Sequence, residues 1–415
     1  MDSTEPRVLP AILEQHVEEA SSLWLLRDRA VYMPHYTLAD LAALDERVEA
    51  HLDGLRIGGV YGWEMCLEAL VEEGNTGHVF AAAVLAFGSA DEARIKEVLE
   101  RCAESDEHAR GLVSALGWLP FELISGQVEK LHASQSPTLR RAALAAFAVH
   151  RRNPGQPLLD ALADRDISLR SRALRAAGEL GLVELLPLLL YDLNAEEEER
   201  RFWAAWSATL LAGQDEAVRV LKSIADSDSP RREDALQMAL RRMNLQDIYN
   251  WIFKLCENPS QYRLAVSGAG VVGDPVYLPW LVELMEMPAL ARIAGESFSM
   301  ITGADIVSEH LDAAKPEEFE SGPTENAEDE DVEVDPDEHL AWPDPALIRD
   351  WLITHESQFQ TGYRHLQGQL IHPAWLYKVI RQGRQRARAA AALEMAIKQT
   401  GRPLFEIRAP GFRQI

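Results

Sequence analysis

Aromatic residues are scarce in this 415-residue chain, at 7% of its length against 47% hydrophobic residues in all. Alanine and leucine therefore supply most of the apolar content. That mix favours helices, because pleated sheets prefer β-branched and aromatic side chains. Basic residues fall short of acidic ones, 41 against 66, which leaves a formal net charge of −25. A phosphate backbone is repelled by such a charge, so a general nucleic-acid role is disfavoured, although a local basic patch stays open. There are three cysteines, Cys66, Cys102 and Cys256, far apart and without CxxC spacing. An odd, scattered set reads as reduced, buried thiols of a reducing compartment. Long apolar runs are missing as well. No segment approaches the roughly 20 residues that cross a bilayer, and the densest leucine cluster, Leu185 to Leu190, is interrupted by Pro187. The first residues lack both the basic start and the apolar core of a signal peptide. A cytoplasmic protein without membrane insertion is the expectation.

Catalytic and cofactor motifs are absent too. There is no HExxH, no P-loop and no G-x-S-x-G. His16 and Glu19 share a helix face but read as solvated surface. Gly268, Gly270 and Gly273 in "GAGVVGD" have the spacing of a dinucleotide fingerprint. That fingerprint needs a strand before the glycines and a helix opening at them. Here they fall where a first helix ends and packs closely on its neighbour. No cofactor and no metal is expected, and no enzymatic activity.

What is present is a period. "DISLRSRALRAAGELGLVELLPLLLYDL", Asp166 to Leu193, reads as two helices. Asp166 or Ser168 caps the first. Leu169, Ala173, Ala176, Ala177 and Leu180 share one face, and Gly181 ends the helix in the left-handed conformation. The second helix is expected from about Val183, with Val183, Leu186, Leu190 and Leu193 as its inner stripe, widened by Leu185 and Leu189. Pro187 is tolerated in its first turn. Leu174 and Leu186 are expected core positions. Weaker copies recur about every thirty residues, marked by Arg110, Arg140, Arg170, Arg200, Arg231, Arg263 and Arg292. Pairs of short helices at a fixed period signal an α-solenoid, in which each hairpin hides its apolar faces against its neighbours. The repeat arginines are expected to bond acidic or carbonyl groups of adjacent repeats. Upstream, Thr37 caps a helix with the stripe Leu38, Leu41, Leu44, Val48 and Leu52, expected to cover the first face of the array.

The pattern D-x-x-L-R-x-R-A-L-R-A-A-G-E-L-G resembles a HEAT repeat of the short kind found in phycobilisome lyase-type proteins, over about Asn75 to Gly303. The layout also resembles a bacterial family of HEAT-repeat proteins of about this length, itself without an assigned activity, whose genes often sit beside type VI secretion components. The cues are the central repeats, "GESFSMITGADI" at Gly295–Ile306 and "GRQRARAAAALEMAIKQTG" at Gly383–Gly401. The fold implied is an all-α solenoid of HEAT-like hairpins, an α/α superhelix with a disordered acidic insertion. Its expected divisions are an N-terminal helical cap (1–60), the repeat array (61–303), the insertion (304–343) and C-terminal helical repeats with a basic end (344–415). The implied function is a protein-binding scaffold or adaptor, with a secretion effector or spike protein as the suggested partner. The alternatives are a HEAT-repeat enzyme, bilin lyase-like or DNA glycosylase-like, and a toxin-masking immunity protein. Iron-binding HEAT enzymes repeat His-Glu pairs on several helices, and this chain lacks that repetition.

Two further features carry expectations. Lys315–Leu340 holds twelve acidic residues and one lysine. It cannot bury enough surface to offset its ordering entropy, so Pro316 to Leu340 is expected to loop out between the two helices of one repeat, Leu290–Gly303 and Asp344–His355. Trp375–Ile415, by contrast, holds nine basic residues against two glutamates. The other feature is a pair of matching aromatics on successive second helices, Tyr249 and Trp251, then Tyr277 and Trp280. These are candidate protein-binding residues, set against an inter-repeat core.

Overall fold

A computed structural model describes residues 9–72, 74–103, 105–317, 319 and 335–414. Helix dominates. The elements in chain order begin α1 (Pro10–Ala30), α2 (Leu38–Ile57), α3 (Gly59–Glu72), α4 (Thr76–Ser89), α5 (Glu92–Ala103) and α6 (Asp106–Trp118). Next come α7 (Phe121–His132), α8 (Pro137–Val149), α9 (Gln156–Leu162), α10 (Ile167–Glu179), α11 (Leu186–Tyr191) and α12 (Glu198–Ala212). They continue as α13 (Asp215–Ala225), α14 (Arg232–Leu240), α15 (Leu245–Cys256), α16 (Tyr262–Val272), α17 (Leu278–Leu284) and α18 (Pro288–Thr302). Then follow α19 (Pro345–His355), the two-residue strands β1 (His365–Leu366) and β2 (Gln369–Leu370), α20 (Pro373–Gln382) and α21 (Gln385–Lys398). A final helical turn spans Gly411–Gln414. The strands pair antiparallel, His365 opposite Leu370, and form the one sheet among the described residues. The fold is an all-α solenoid of helical hairpins. Six of the repeat arginines lie on or next to the start of a first helix: Arg110 in α6, Arg140 in α8, Arg170 in α10, Arg200 in α12, Arg231 just before α14 and Arg263 in α16.

The chain forms two compact units. Residues 9–32, 36–212 and 399–414 make the first, and residues 33–35 and 213–398 the second. In the first unit the inner helices α1, α4, α6, α8, α10 and α12 pack in succession, while α3, α5, α7, α9 and α11 each pack on an inner helix. α4 shows why: Thr76 to Phe87 are all buried, so no side of it can face water, and its alanines let neighbours approach from every direction. Phe80 stacks on Trp24 with ring centroids 5.1 Å apart and meets the edge of Trp118 at 5.3 Å. The N-terminal hairpin closes on α1. Thr37 accepts a bond from the Asp40 amide while the Asp40 carboxylate accepts one from the Thr37 amide, a reciprocal cap that satisfies two helix-end donors. Leu38, Leu41, Leu44, Val48 and Leu52 are buried as the spacing predicts.

In the second unit α14, α16 and α18 are the successive inner helices, α15 and α17 the outer ones, and α20 and α21 form a hairpin. Gly268 and Gly270 lie inside α16. A Cβ on Gly268 would come within 2.8 Å of Ile252, and one on Gly270 within 2.9 Å of the Ser297 backbone. The glycines are there for close helix contact. Gly273 follows at φ +74° and ends the helix.

The Asp166–Leu193 hairpin departs from expectation in its second half. Asp166 accepts from the Leu169 amide at 2.8 Å, and Leu169, Ala173, Leu174, Ala176, Ala177 and Leu180 are all buried. Val183–Leu185, however, is a 3₁₀ turn, and the α-helix starts only at Leu186. The tighter turn rotates the following residues. The buried stripe becomes Leu185, Leu189 and Leu193, whereas Leu186 is half-buried.

The expected loop-out also needs correction at its end. Residues 318 and 320–334 of the acidic stretch lie outside the described residues. Asp335–Leu340 forms an irregular turn that is firmly bonded (below), and Ala313 donates to the Trp342 carbonyl at 2.8 Å. On the helices proposed to flank the stretch, Phe298 of α18 and Trp351 of α19 meet edge to face at 5.7 Å.

Candidate interaction surfaces

The repeat arginines are engaged by carboxylates. Arg140 lies 3.2 Å from Asp164. Arg170 forks onto Asp192 with bonds of 2.8 and 2.6 Å, and Arg200 reaches the same carboxylate at 2.8 Å. In the second unit Arg263 forks onto Asp337 with two bonds of 2.6 Å, and Arg292 reaches Asp335 at 2.8 Å. Trp342 lies under the Arg292 guanidinium, 4.6 Å from its centre. Arg110 pairs with Asp28. Paired guanidiniums of this sort knit repeats together rather than wait for phosphates.

The matched aromatics sit between repeats of the second unit. Trp251 is 2% exposed, donates to Asp226 at 2.7 Å and has the Lys222 ammonium 3.7 Å from its ring centre. Burial draws the Lys222 pKa down to about 8 even with Asp226 opposing it. Tyr249 donates to Asp274 at 2.6 Å, and its ring meets Tyr277 at 6.0 Å. Burial and that bond to Asp274 push the Tyr249 phenol up to about 12. Tyr277 meets Trp280 at 6.2 Å, and both pack on the core of α16–α18. The surface they offer is confined to the edges of Tyr249, Tyr277 and Trp280, all half-buried.

Apolar surface is presented instead by the outer helices of the first unit. Leu123 on α7, Leu159 on α9, and Leu188 and Tyr191 on α11 are exposed. Between α5 and α7 a groove is lined by Ile95, Leu99, Leu131 and Leu139, and the Lys130–Glu92 ion pair of 2.6 Å sits at its rim.

A third surface was not visible in the sequence. Helix C-termini leave carbonyls without intrahelical donors and carry partial negative charge. In the second unit the β1–β2 segment covers them. His365 donates to the Gly273 carbonyl at 2.7 Å, and Gln367 to that of Met300 at 2.8 Å. Arg364 reaches the Val272 carbonyl at 3.0 Å while bonded to Glu394 at 2.6 Å. In the first unit residues 404–414 do the same for α6, through Arg413 and the Gly117 carbonyl, and for α10. Leu404 donates to the Glu179 carbonyl at 2.9 Å. Glu406 pairs with Arg151 at 3.1 Å and with Arg408 at 2.8 Å. Burial opposes the charge of Glu406, but Arg408 and Arg151 outweigh it and bring the carboxyl down to about 2. Glu179 is likewise held well below the carboxylate range, its burial outweighed by Arg172, Arg175 and Arg408. The only sequence signal for this docking was the basic excess of the terminus. It identifies neither Glu406 nor the main-chain bonds.

Cys66 and Cys102 are buried free thiols whose pKa burial pushes up to about 12, and Cys256 is free and partly buried. Among the described residues no group of three or more His, Cys, Asp or Glu is arranged to hold a metal, and no helix is long and apolar enough to cross a membrane. His16 sits 3.0 Å from His51 across α1 and α2.

Residues 155–241 match the family model for HEAT repeats. No curated protein and no solved structure matches the chain.

Proposed function

We propose that this HEAT-repeat chain is a non-enzymatic protein-binding scaffold or adaptor. The carrying observation is the apolar surface on the outer helices of the first unit, the α5–α7 groove and the exposed Leu123, Leu159, Leu188 and Tyr191. Exposed apolar side chains beside an apolar groove offer places where proteins dock, and stacked repeats generally present extended surfaces to partners. The resemblance to a bacterial family encoded near type VI secretion components supplies the setting: a cytoplasmic accessory that helps an effector or spike protein assemble.

Affinity purification from the native cell tests this directly. A stoichiometric protein partner, lost from a Leu188→Asp/Tyr191→Asp variant that keeps its helicity, is the expected result. Recovery of an effector or spike protein supports the secretion setting. Repeated recovery of nucleic acid or a chromophore instead overturns the scaffold reading in favour of a HEAT-repeat enzyme.

A further inference from the structure

Residues 404–414 are held on the first unit in an unusual way. None of their large apolar side chains is buried: Phe405 is 36% and Phe412 57% exposed, and Leu404 and Ile407 are half-buried. What the first unit grips is the backbone and the polar groups. Arg27 directs Nη1 to the Arg408 carbonyl at 2.7 Å and Nη2 to the Ala409 carbonyl at 2.8 Å. Its Nε bonds Asp45 at 2.8 Å, and the other oxygen of that carboxylate accepts the Gly411 amide at 2.6 Å. One buried ion pair on α1 and α2 thus reads two carbonyls and one amide of the segment. Further along, Arg151 holds Glu406, and Arg413 donates to His150 Nδ1 at 2.8 Å and to the Gly117 carbonyl.

The receiving surface is built by the helices themselves. Arg27 and Asp45 pair with each other, Trp118 is locked against Phe80, and His150 is bonded through Nε2 to the Leu116 carbonyl at 2.8 Å. The buried apolar core spanning α1 to α8 contains no residue of the segment. The fit is nevertheless selective. A Cβ on Gly411 would lie 2.6 Å from the Ala42 side chain and 2.7 Å from its Cα, so only glycine passes there. The segment is tethered through Gly401, Arg402 and Pro403, all exposed. Main-chain recognition, a side chain read by charge, one steric checkpoint and a solvent-exposed tether are how a protein binds a peptide rather than how it closes its own core.

We propose that this face of the first unit is a peptide-binding site and that residues 404–414 are its ligand in cis. The partner it fits is an extended protein segment of the same pattern, a glutamate two residues before an arginine and a Pro-Gly step before an aromatic and a basic residue. It gains access by displacing the tail. The proposal rests on the scaffold reading in naming a protein partner, but the site is tested with this chain alone.

A protease site placed at Gly401–Pro403 of the full chain allows the tail to be cut after folding and washed away. A labelled synthetic peptide of residues 402–415 is then titrated by fluorescence anisotropy. Saturable binding to the cut, tail-free protein is expected, competed by unlabelled peptide, with at least tenfold weaker binding to the uncut chain. Peptides carrying Gly411→Ala or Glu406→Gln cannot affect the folding of the receiver, and each is expected to bind at least tenfold more weakly. Loss of helicity on removing the tail overturns the proposal, since the segment would then be integral to the fold. So does a folded, tail-free protein that fails to bind the peptide or binds Gly411→Ala equally well. None of these results touches partner capture by the outer helices, so the two readings fail separately.

Discussion

Replacing Asp192 by alanine is the sharpest test of how the repeats are joined. The carboxylate is 2% exposed and accepts three bonds, two from Arg170 and one from Arg200, whose side chains are 20% and 17% exposed. Removing it strands the Arg170 guanidinium in a nearly dry seam, while Arg200 keeps only Glu197 at 2.7 Å. Breaking a buried ion pair by removing one partner costs about 3–5 kcal/mol. The residual exposure of both arginines lets water relieve part of that, so about 3 kcal/mol is the expected loss. Arg170→Met leaves Asp192 paired with Arg200 and should cost about half as much. The triple change Asp192→Leu, Arg170→Met and Arg200→Met should recover most of the stability, because an apolar replacement of a buried ionic group is often neutral. Urea unfolding followed by circular dichroism measures these differences. With two compact units the curve need not be two-state, and the change belongs to the transition of the first unit. An Asp192→Ala loss below about 0.5 kcal/mol, the range of a surface pair, would show that the arginine–aspartate contacts ornament the surface rather than join repeats.

Leu189→Ala should cost about 2–5 kcal/mol, while Leu188→Ala on the exposed side of α11 should leave the unfolding curve nearly unmoved; equal losses would mean the 3₁₀ phase shift is wrong. Gly178→Ala should destabilise by about 1–3 kcal/mol, because its Cβ would lie 2.8 Å from that of Ser207. Gly126→Ala, exposed within α7 with open space around it, should instead stabilise by up to about 1 kcal/mol. Acidification should loosen the tail through His150. Burial lowers its pKa, the Leu116 carbonyl works against that, and Arg413 lowers it further, with Glu122 and Arg152 as the remaining nearby charges. The folded state therefore holds His150 neutral, donating to Leu116 and accepting from Arg413. The stabilisation is present above the ordinary histidine pKa of about 6.5 and is lost as pH falls through the lowered folded value. Amide exchange over residues 404–414, taken relative to the intrinsic unfolded-chain rate at each pH, should rise from pH 7.5 to about 5 in the native chain and change less in His150→Gln, which retains a donor and an acceptor. An identical rise in both would locate the titration elsewhere.

The repeat architecture was legible because it is written in local chemistry. Leu169, Ala173, Ala176, Ala177 and Leu180 repeat at the helical period, Asp166 caps, and Gly181 stops the helix at φ +73°. None of these needs distant information. The phase of α11 was not legible, because choosing between Leu186 and Leu189 as inner residue depends on whether Val183–Leu185 winds as α or 3₁₀, and five leucines in the six positions from Leu185 to Leu190 satisfy either. The docking of the tail was still less accessible. Arg27 and Gly411 are brought together by the whole first unit, and a main-chain carbonyl carries no signature in sequence.

The acidic stretch shows the same limit from the other side. In the first unit Arg140, Arg170 and Arg200 take their carboxylates from nearby in the chain, Asp164 for Arg140 and Asp192 for the other two, while Arg110 reaches back to Asp28. In the second unit Arg263 and Arg292 take theirs from Asp337 and Asp335, 74 and 43 residues onward. Composition alone marks these two aspartates as more of a solvated run. Geometry makes them the continuation of the same inter-repeat pairing, supplied by an insertion where the local sequence does not supply it. The Asp335–Leu340 turn is therefore part of the array. Replacing 320–334 by a short Gly/Ser connection should leave helicity and thermal unfolding unchanged, since loop length affects closure entropy only slowly. Extending the replacement through Asp337 should lower the unfolding temperature of the second unit. If both replacements behave alike, Arg263 and Arg292 gain nothing from their carboxylates, and the pairing proposed to run through both units stops at the first.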